Sequence, residues 1–248
     1  MEQKTYRTSE AARLIGVHPN TVRLYEDLKL ISPPKRRANG YRVFTDLHLE
    51  QLRLARTALQ VEVLQNGLRK QAVEIIKTAA AGDLVKAKAL TKAYLQAICR
   101  EQNNAEEAIK SVRELLSGAQ PTDHAPLRRR EAAEYLGISM DTLRNWELNG
   151  LLSVKRRQNG YRVYTAEDLR RLKIIRSLRC ANYSLSAILR LLGALSLDPN
   201  ADIRTAIDTP DQGDDIIAVC DKLLTSLARA GENARMMCAR LEKMEHLF

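Results

Sequence analysis

The chain has 248 residues, enough for two domains of ordinary size, each with its own core. Hydrophobic residues make up 45% and charged residues 28%, the balance of a soluble globular chain. No apolar run approaches the roughly 18 residues needed to cross a bilayer. The net charge of +10 is concentrated: residues 1–57 hold 11 Lys and Arg against 6 Asp and Glu, residues 126–179 hold 13 against 6, and the remainder is slightly acidic. Two basic regions suit a polyanion such as nucleic-acid phosphate; solvated faces, or faces for acidic proteins, are the plainer alternative.

Those two regions are copies of each other. Glu10-Ala11-Ala12 recurs as Glu131-Ala132-Ala133, and the match runs at an offset of 121 to Ser32 and Ser153. After the loss of one residue it resumes at 120, with Lys35-Arg36-Arg37-Ala38-Asn39-Gly40-Tyr41-Arg42-Val43 facing Lys155-Arg156-Arg157-Gln158-Asn159-Gly160-Tyr161-Arg162-Val163. From Glu10 to Leu52, 20 of 42 paired positions are identical, which marks a duplicated domain.

In chain order, Thr8-Ser9 is expected to cap a helix running to about Ile15, Gly16 makes a turn, and Pro19 suits the first turn of a second helix. Ala12, Gly16 and Val22 have the spacing of a helix-turn-helix: a small residue for close contact, a Gly for the sharp turn, an apolar residue to bury the second helix. Ala133, Gly137 and Leu143 repeat it, although Arg128-Arg129-Arg130 replaces the capping Thr-Ser and leaves that helix start less clear. Asn39-Gly40 and Asn159-Gly160, flanked by β-formers, predict tight type I′ hairpins, so each copy gains a basic two-stranded wing. Amphipathic helices follow from Asp46 and Ala166. Two long amphipathic segments, Asp83–Leu116 and Asp214–Leu247, carry apolar stripes that need a partner.

Thr21-Val22-Arg23-Leu24-Tyr25-Glu26, Leu30-Ile31-Ser32-Pro33 and Asn39-Gly40-Tyr41-Arg42-Val43-Phe44 resemble the DNA-binding domain of the MerR family of bacterial regulators. The second copy keeps Thr142-Leu143-Arg144-Asn145-Trp146-Glu147, Gly160-Tyr161-Arg162-Val163-Tyr164, Asp168-Leu169-Arg170-Arg171-Leu172 and Tyr183-Ser184-Leu185-Ser186-Ala187-Ile188. The first departs after Ala58, where Gln60-Val61-Glu62-Val63 lacks the family's usual loop, so its fourth helix is expected to sit differently. The resemblance implies a mainly α fold: two winged helix-turn-helix domains, each followed by a long helix, the long helices pairing as an antiparallel coiled coil. The domain limits expected are 5–80, a long helix at 81–117, a linker at 118–126, a second winged domain at 127–200 and a second long helix at 213–247. The ten residues from Ser117 to Pro126 reach ~33 Å at most, which lets one chain fold as a pseudo-dimer; a homodimer displaying four modules is the rival.

A helix fits the DNA major groove, and residues near the start of the second helix face base edges. These are His18, Asn20, Thr21, Arg23 and Tyr25 in the first copy and Ser139, Asp141, Thr142, Arg144 and Asn145 in the second. The wings offer Lys35, Arg36, Arg37, Tyr41 and Arg42, then Lys155, Arg156, Arg157, Tyr161 and Arg162. By resemblance Arg23, Arg42, Arg144 and Arg162 grip phosphate. Tyr25 and Trp146 could instead pack the module cores. Asn20 can read adenine, whereas Asp141 can only accept a hydrogen bond, so the two halves are expected to prefer different half-sites.

The resemblance implies a transcription regulator that bends or untwists promoter DNA, with double-stranded DNA and RNA polymerase as partners and self-association through the long helices. It is expected in the bacterial cytoplasm, on the nucleoid, with no membrane contact, cofactor or metal. Cys99, Cys180, Cys220 and Cys238 show no metal-ligand spacing and read as reduced thiols. His18, His48, His124 and His246 are scattered, and no nucleophile–base set points to catalysis. The alternative is an architectural DNA-bending protein, because Arg129-Arg130-Glu131-Ala132-Ala133-Glu134-Tyr135-Leu136-Gly137-Ile138 is also similar to excisionase-type recombination directionality factors.

Overall fold

The computed structural model describes residues 4–60, 67–117, 125–154, 162–209 and 222–247. They form two compact units: residues 1–100 with 226–248, and residues 101–225. Unit one begins with β1 (Thr5–Tyr6), α1 (Thr8–Ile15) and α2 (Pro19–Asp27). Next come the hairpin β2 (Lys35–Arg36) and β3 (Arg42–Thr45), then α3 (Asp46–Leu59) and α4 (Leu68–Ala80). The 34-residue α5 (Leu84–Ser117) starts in unit one and ends in unit two. Unit two repeats the pattern with β4 (Leu127–Arg128), α6 (Arg129–Leu136), α7 (Met140–Leu148), β5 (Val163–Tyr164), α8 (Ala166–Cys180) and α9 (Leu185–Leu197), and adds α10 (Ile203–Asp208). Most of α11 (Leu223–Glu245) belongs to unit one.

Both first helices start in the same way, and not as the sequence suggested. Thr8 and Ser9 lie inside α1; its N-cap is Arg7, whose backbone N–H donates to Glu10 Oε2 at 2.7 Å. In unit two Arg128 N–H donates to Glu131 Oε2 at the same distance. A glutamate at the third helical position reaches the N-cap backbone whatever the capping side chain, so the Arg-rich start of α6 costs nothing in definition. The turn glycines behave as expected: Gly16 (φ 72°) and Gly137 (φ 62°) are left-handed and end α1 and α6. The Arg56 guanidinium bonds the Ile15 carbonyl at that turn in unit one.

The first wing is a hairpin of a different type from the one predicted. Gly40 N–H donates to the Arg37 carbonyl at 2.8 Å and Arg37 N–H to Tyr41 O at 2.9 Å, so the loop has three residues, Ala38 to Gly40. Gly40 alone is left-handed (φ 81°); Asn39 keeps a negative φ, which a type I′ turn forbids. A left-handed glycine bulge gives the strands their twist without straining Asn39. The tip of the second wing, residues 155–161, lies outside the described residues. Each return strand also pairs with the strand before the first helix: Tyr6 faces Phe44 and Leu127 faces Tyr164.

Ala11, Ala12, Ile15, Val22, Ile31, Phe44, Leu49 and Leu52 form the core of the first module. Their counterparts Ala132, Ala133, Leu136, Leu143, Leu152, Tyr164, Leu169 and Leu172 join the buried Ala105, Ala108, Ile109 and Val112 of α5 in the core of unit two. Of the apolar stripes predicted for the long helices, Leu84, Ala87 and Ile98 on α5 and Leu227, Ala234, Met237, Leu241 and Met244 on α11 are buried, while Leu95, Leu116 and Leu224 are half-buried. The stretch 214–221, with Ile217 and Cys220, is outside the described residues, as is most of the predicted linker. Within unit one, Lys88 Nζ lies 2.6 Å from Glu245 Oε1, and a Cβ placed on Gly231 would sit 3.8 Å from Ile98 Cγ2. Position 88 meets 245 and position 98 meets 231, so there the two helices run in opposite directions. The fourth helix of the first copy follows a longer connection than that of the second. Residues 60–67 separate α3 from α4, most of them outside the described residues, whereas 181–184 separate α8 from α9.

Candidate nucleic-acid interface

Side-chain caps hold the start of both recognition helices. His18 caps α2, its Nδ1 accepting from Asn20 N–H at 3.2 Å, and Pro19 fills the first helical position, where no N–H is needed. Asn20 Oδ1 in turn accepts from Arg23 Nη1 at 2.9 Å. In unit two Ser139 caps α7, accepting from Thr142 N–H at 3.0 Å, and its hydroxyl also bonds the Thr142 hydroxyl at 2.9 Å. His18, Asn20 and Arg23 are exposed, as are Ser139, Asp141, Arg144 and Asn145; Thr21 and Thr142 are half-buried. The buried Val22 and Leu143 anchor the opposite faces, so the predicted readers of each copy share one surface. Asn145 has a local role too, its Oδ1 accepting from Asn149 Nδ2 at 2.5 Å.

The two aromatic positions pack inward. Trp146 is 5% exposed and belongs to the unit-two core. Tyr25 is half-buried against the core of the first module, and burial raises its phenol while the Arg56 and Arg69 charges pull the other way.

The wings are tied to the recognition helices through one glutamate in each copy. Glu26, on α2, pairs with Arg42 Nε and lies 3.7 Å from Arg36 Nη2. Glu147, on α7, receives Arg162 Nε at 3.0 Å, Arg129 Nη2 at 2.6 Å and the Tyr164 hydroxyl. Burial, and then the hydrogen bond to Glu147, push the Tyr164 phenol up to about 12, so it stays a donor. Both glutamates stand in the motif strings, and the signal that could have exposed their role is that each copy pairs the same Glu with the same wing Arg. Each arginine is held by Nε, which leaves its two terminal nitrogens for another acceptor. Lys35, Arg36, Arg37 and Tyr41 are exposed on the first wing. Lys155, Arg156, Arg157 and Tyr161 lie outside the described residues.

The family model described as MerR HTH family regulatory protein matches residues 6–68 and again 127–195, together more than half of the chain. The chain belongs to the MerR family. Its similar curated relatives include the HTH-type transcriptional regulator CueR of Yersinia pestis, 45% identical over 53 residues, or 21% of this chain and 38% of that protein. The HTH-type transcriptional regulator ZntR of Escherichia coli K12 is 37% identical over 70 residues, 28% of this chain and 49% of that protein. A probable heavy metal-dependent transcriptional regulator of Haemophilus influenzae is 40% identical over 75 residues, covering 30% of this chain and 58% of its own length. The matches therefore span about two fifths to three fifths of these MerR-type relatives. No solved structure matches the chain. Among the described residues, no group of His, Cys, Asp and Glu could hold a metal ion, and no helix is long and apolar enough to cross a membrane.

Proposed function

We propose that the protein is a sequence-specific regulator of transcription that binds double-stranded DNA with two unlike MerR-type modules as a single-chain pseudo-dimer. The observation that carries this reading is the exchange of long-helix ends. The end of α5 packs in the unit that holds the second module, and most of α11, including its end, packs in the unit that holds the first. One chain thus supplies both halves of an arrangement that otherwise needs two. The recognition surfaces differ at matched positions, His18 and Asn20 against Ser139 and Asp141, which supports an asymmetric target. Bending or untwisting a promoter costs a few kcal/mol in DNA deformation, offset by phosphate contacts at both ends, and RNA polymerase is the partner that would use the altered shape.

Genome-wide mapping of bound sites, footprinting of one of them and sedimentation test the proposal together. Two unlike half-sites at promoters and a particle of the 28.0 kDa chain mass are expected. A perfect inverted repeat as best ligand, or a particle of twice that mass, would overturn the asymmetric pseudo-dimer. Sites clustered beside recombinase genes and away from promoters would favour the architectural alternative.

A further inference from the structure

The two modules receive their long-helix ends through opposite chemistry at one matched position. Glu50 is the fifth residue of α3 and Arg170 the fifth of α8, and the repeat pairs them at its offset of 120. Glu50 is 2% exposed and gathers three cations: Arg53 Nη1 at 2.8 Å from its own helix, and Arg240 Nη1 at 3.2 Å and Lys243 Nζ at 2.6 Å from the end of α11. Burial alone would raise its carboxyl, but the Lys243 hydrogen bond and the Arg53 and Lys243 charges outweigh that and hold it below the usual range. Arg170 does the reverse. Its Nε and Nη2 donate to the carbonyls of Leu115 and Leu116, each at 2.6 Å. These lie among the last four carbonyls of α5, which have no partner within the helix and carry the negative end of its dipole.

The helix ends differ to match. The buried stripes superpose Ala105, Ala108 and Val112 of α5 on Ala234, Met237 and Leu241 of α11, an offset that sets Glu114 against Lys243 and Ser111 against Arg240. An α5 end placed on module one would bring Glu114 to the buried Glu50. An α11 end placed on module two would bring Lys243 and Arg240 to Arg170. Like charges brought to the buried Glu50 or the half-buried Arg170 disfavour the wrong partner, and the correct one loses nothing.

We propose that Glu50 and Arg170 are docking keys of opposite charge. They assign the α11 end to module one and the α5 end to module two, so that the duplicated halves cannot pair like with like. This rests on the pseudo-dimer reading, but sedimentation of the wild-type chain tests that reading separately. The keys are tested in the full chain by E50R, R240E/K243E and their combination, followed by denaturant unfolding and sedimentation. E50R and R240E/K243E should each lower the folding constant by roughly a hundred-fold or more, because each sets like charges together at the buried position 50. The combination should recover at least about tenfold of that loss, since it restores an opposite-charge contact.

E50R should also produce a particle of twice the chain mass, because module one then fits the α5 end of a second copy. An E50R protein at the chain mass with wild-type stability overturns the proposal, as does a combination no better than the sum of its parts. If E50R does not fold, the milder E50Q and K243Q cycle decides. Coupling above about fivefold supports the keys and additivity within about twofold overturns them.

Discussion

Arg42 and Arg162 occupy matched positions in the two wings, yet their removal should have unequal effects. Arg162 is one of three groups on the 8%-exposed Glu147, so R162A leaves that carboxylate with Arg129 and the Tyr164 hydroxyl. The ion pair lost is partly exposed at 35%, and after screening it contributes at most about 1 kcal/mol. Glu26 is less well provided. Without Arg42 its one remaining ion-pair partner among the described residues is Arg36, 54% exposed and 3.7 Å away, and losing the main charged bond of a largely buried carboxylate costs about 1.5–3 kcal/mol. On DNA the two substitutions should look alike. If each holds the phosphate proposed for it, its removal should lower the slope of log K against log salt by about 0.9 and leave a variant whose affinity falls about 3.5-fold less than wild type between 50 and 200 mM salt. Anisotropy titrations of a labelled duplex across that salt range give the slope, and denaturant unfolding gives the stability. An unchanged slope in R162A would confine Arg162 to holding Glu147. An R42A protein as stable as R162A would refute the argument that the first wing hangs on a single glutamate pair.

Two further outcomes follow from matched residues. Alanine at either turn glycine should cost about 1–2 kcal/mol for the left-handed backbone, with G16A worse than G137A. A Cβ at Gly16 would lie 2.9 Å from Arg56 Nη1 and push that guanidinium off the Ile15 carbonyl, whereas at Gly137 the nearest atom, Arg176 Nη2, is 3.6 Å away. Equal losses in equilibrium unfolding would contradict this. Neutral His48 accepts the Thr45 N–H at 3.1 Å to cap α3; burial lowers its pKa below 6.5 against the opposing pull of the Pro33 and Ser32 carbonyls. Its contribution is thus fully present above pH 6.5 and is lost as pH falls through the lower folded value. H48D, which copies the Asp168 cap of α8, should remove that slope between about pH 8 and pH 5; an unchanged midpoint profile counts against the cap.

What could be read directly from the sequence was whatever the two copies say twice in one register. The turn glycines, Pro19, the buried Val22 and Leu143, and the starts of α3 and α8 all follow from local spacing. The pairing of β1 with β3 and of β4 with β5 did not, since strands of two to four residues show too little alternation to detect. The helix caps were misread because serine and threonine drew attention that belonged to Glu10 and Glu131. The candidate interface was visible as a list of basic and polar residues, but its geometry depends on Glu26 and Glu147, which a charge count scores as liabilities beside DNA. Least visible were the docking contacts of Glu50, because their partners lie 190 and 193 residues away on a helix whose only sequence signal was an apolar stripe.

The pattern of change between the copies explains what fusion permits. Positions with the same local task in both halves are the same: Gly16 and Gly137 at the turn, Glu26 and Glu147 under the wing, Arg42 and Arg162 on it. Positions proposed to face something different in each half have diverged: His18 and Asn20 against Ser139 and Asp141 on the recognition helices, Glu50 against Arg170 at the helix ends. In a homodimer every substitution appears twice, so reversing a docking charge sets two like charges against unchanged partners at both joints. One chain with two copies escapes that constraint, because each half can change together with the single helix end it meets. Once the halves no longer exchange, the order of the two recognition helices is set by the chain itself, and only then can unlike half-sites be read in a defined orientation. On the proposed pairing, asymmetry at the helix ends is therefore a physical precondition for asymmetry at the DNA.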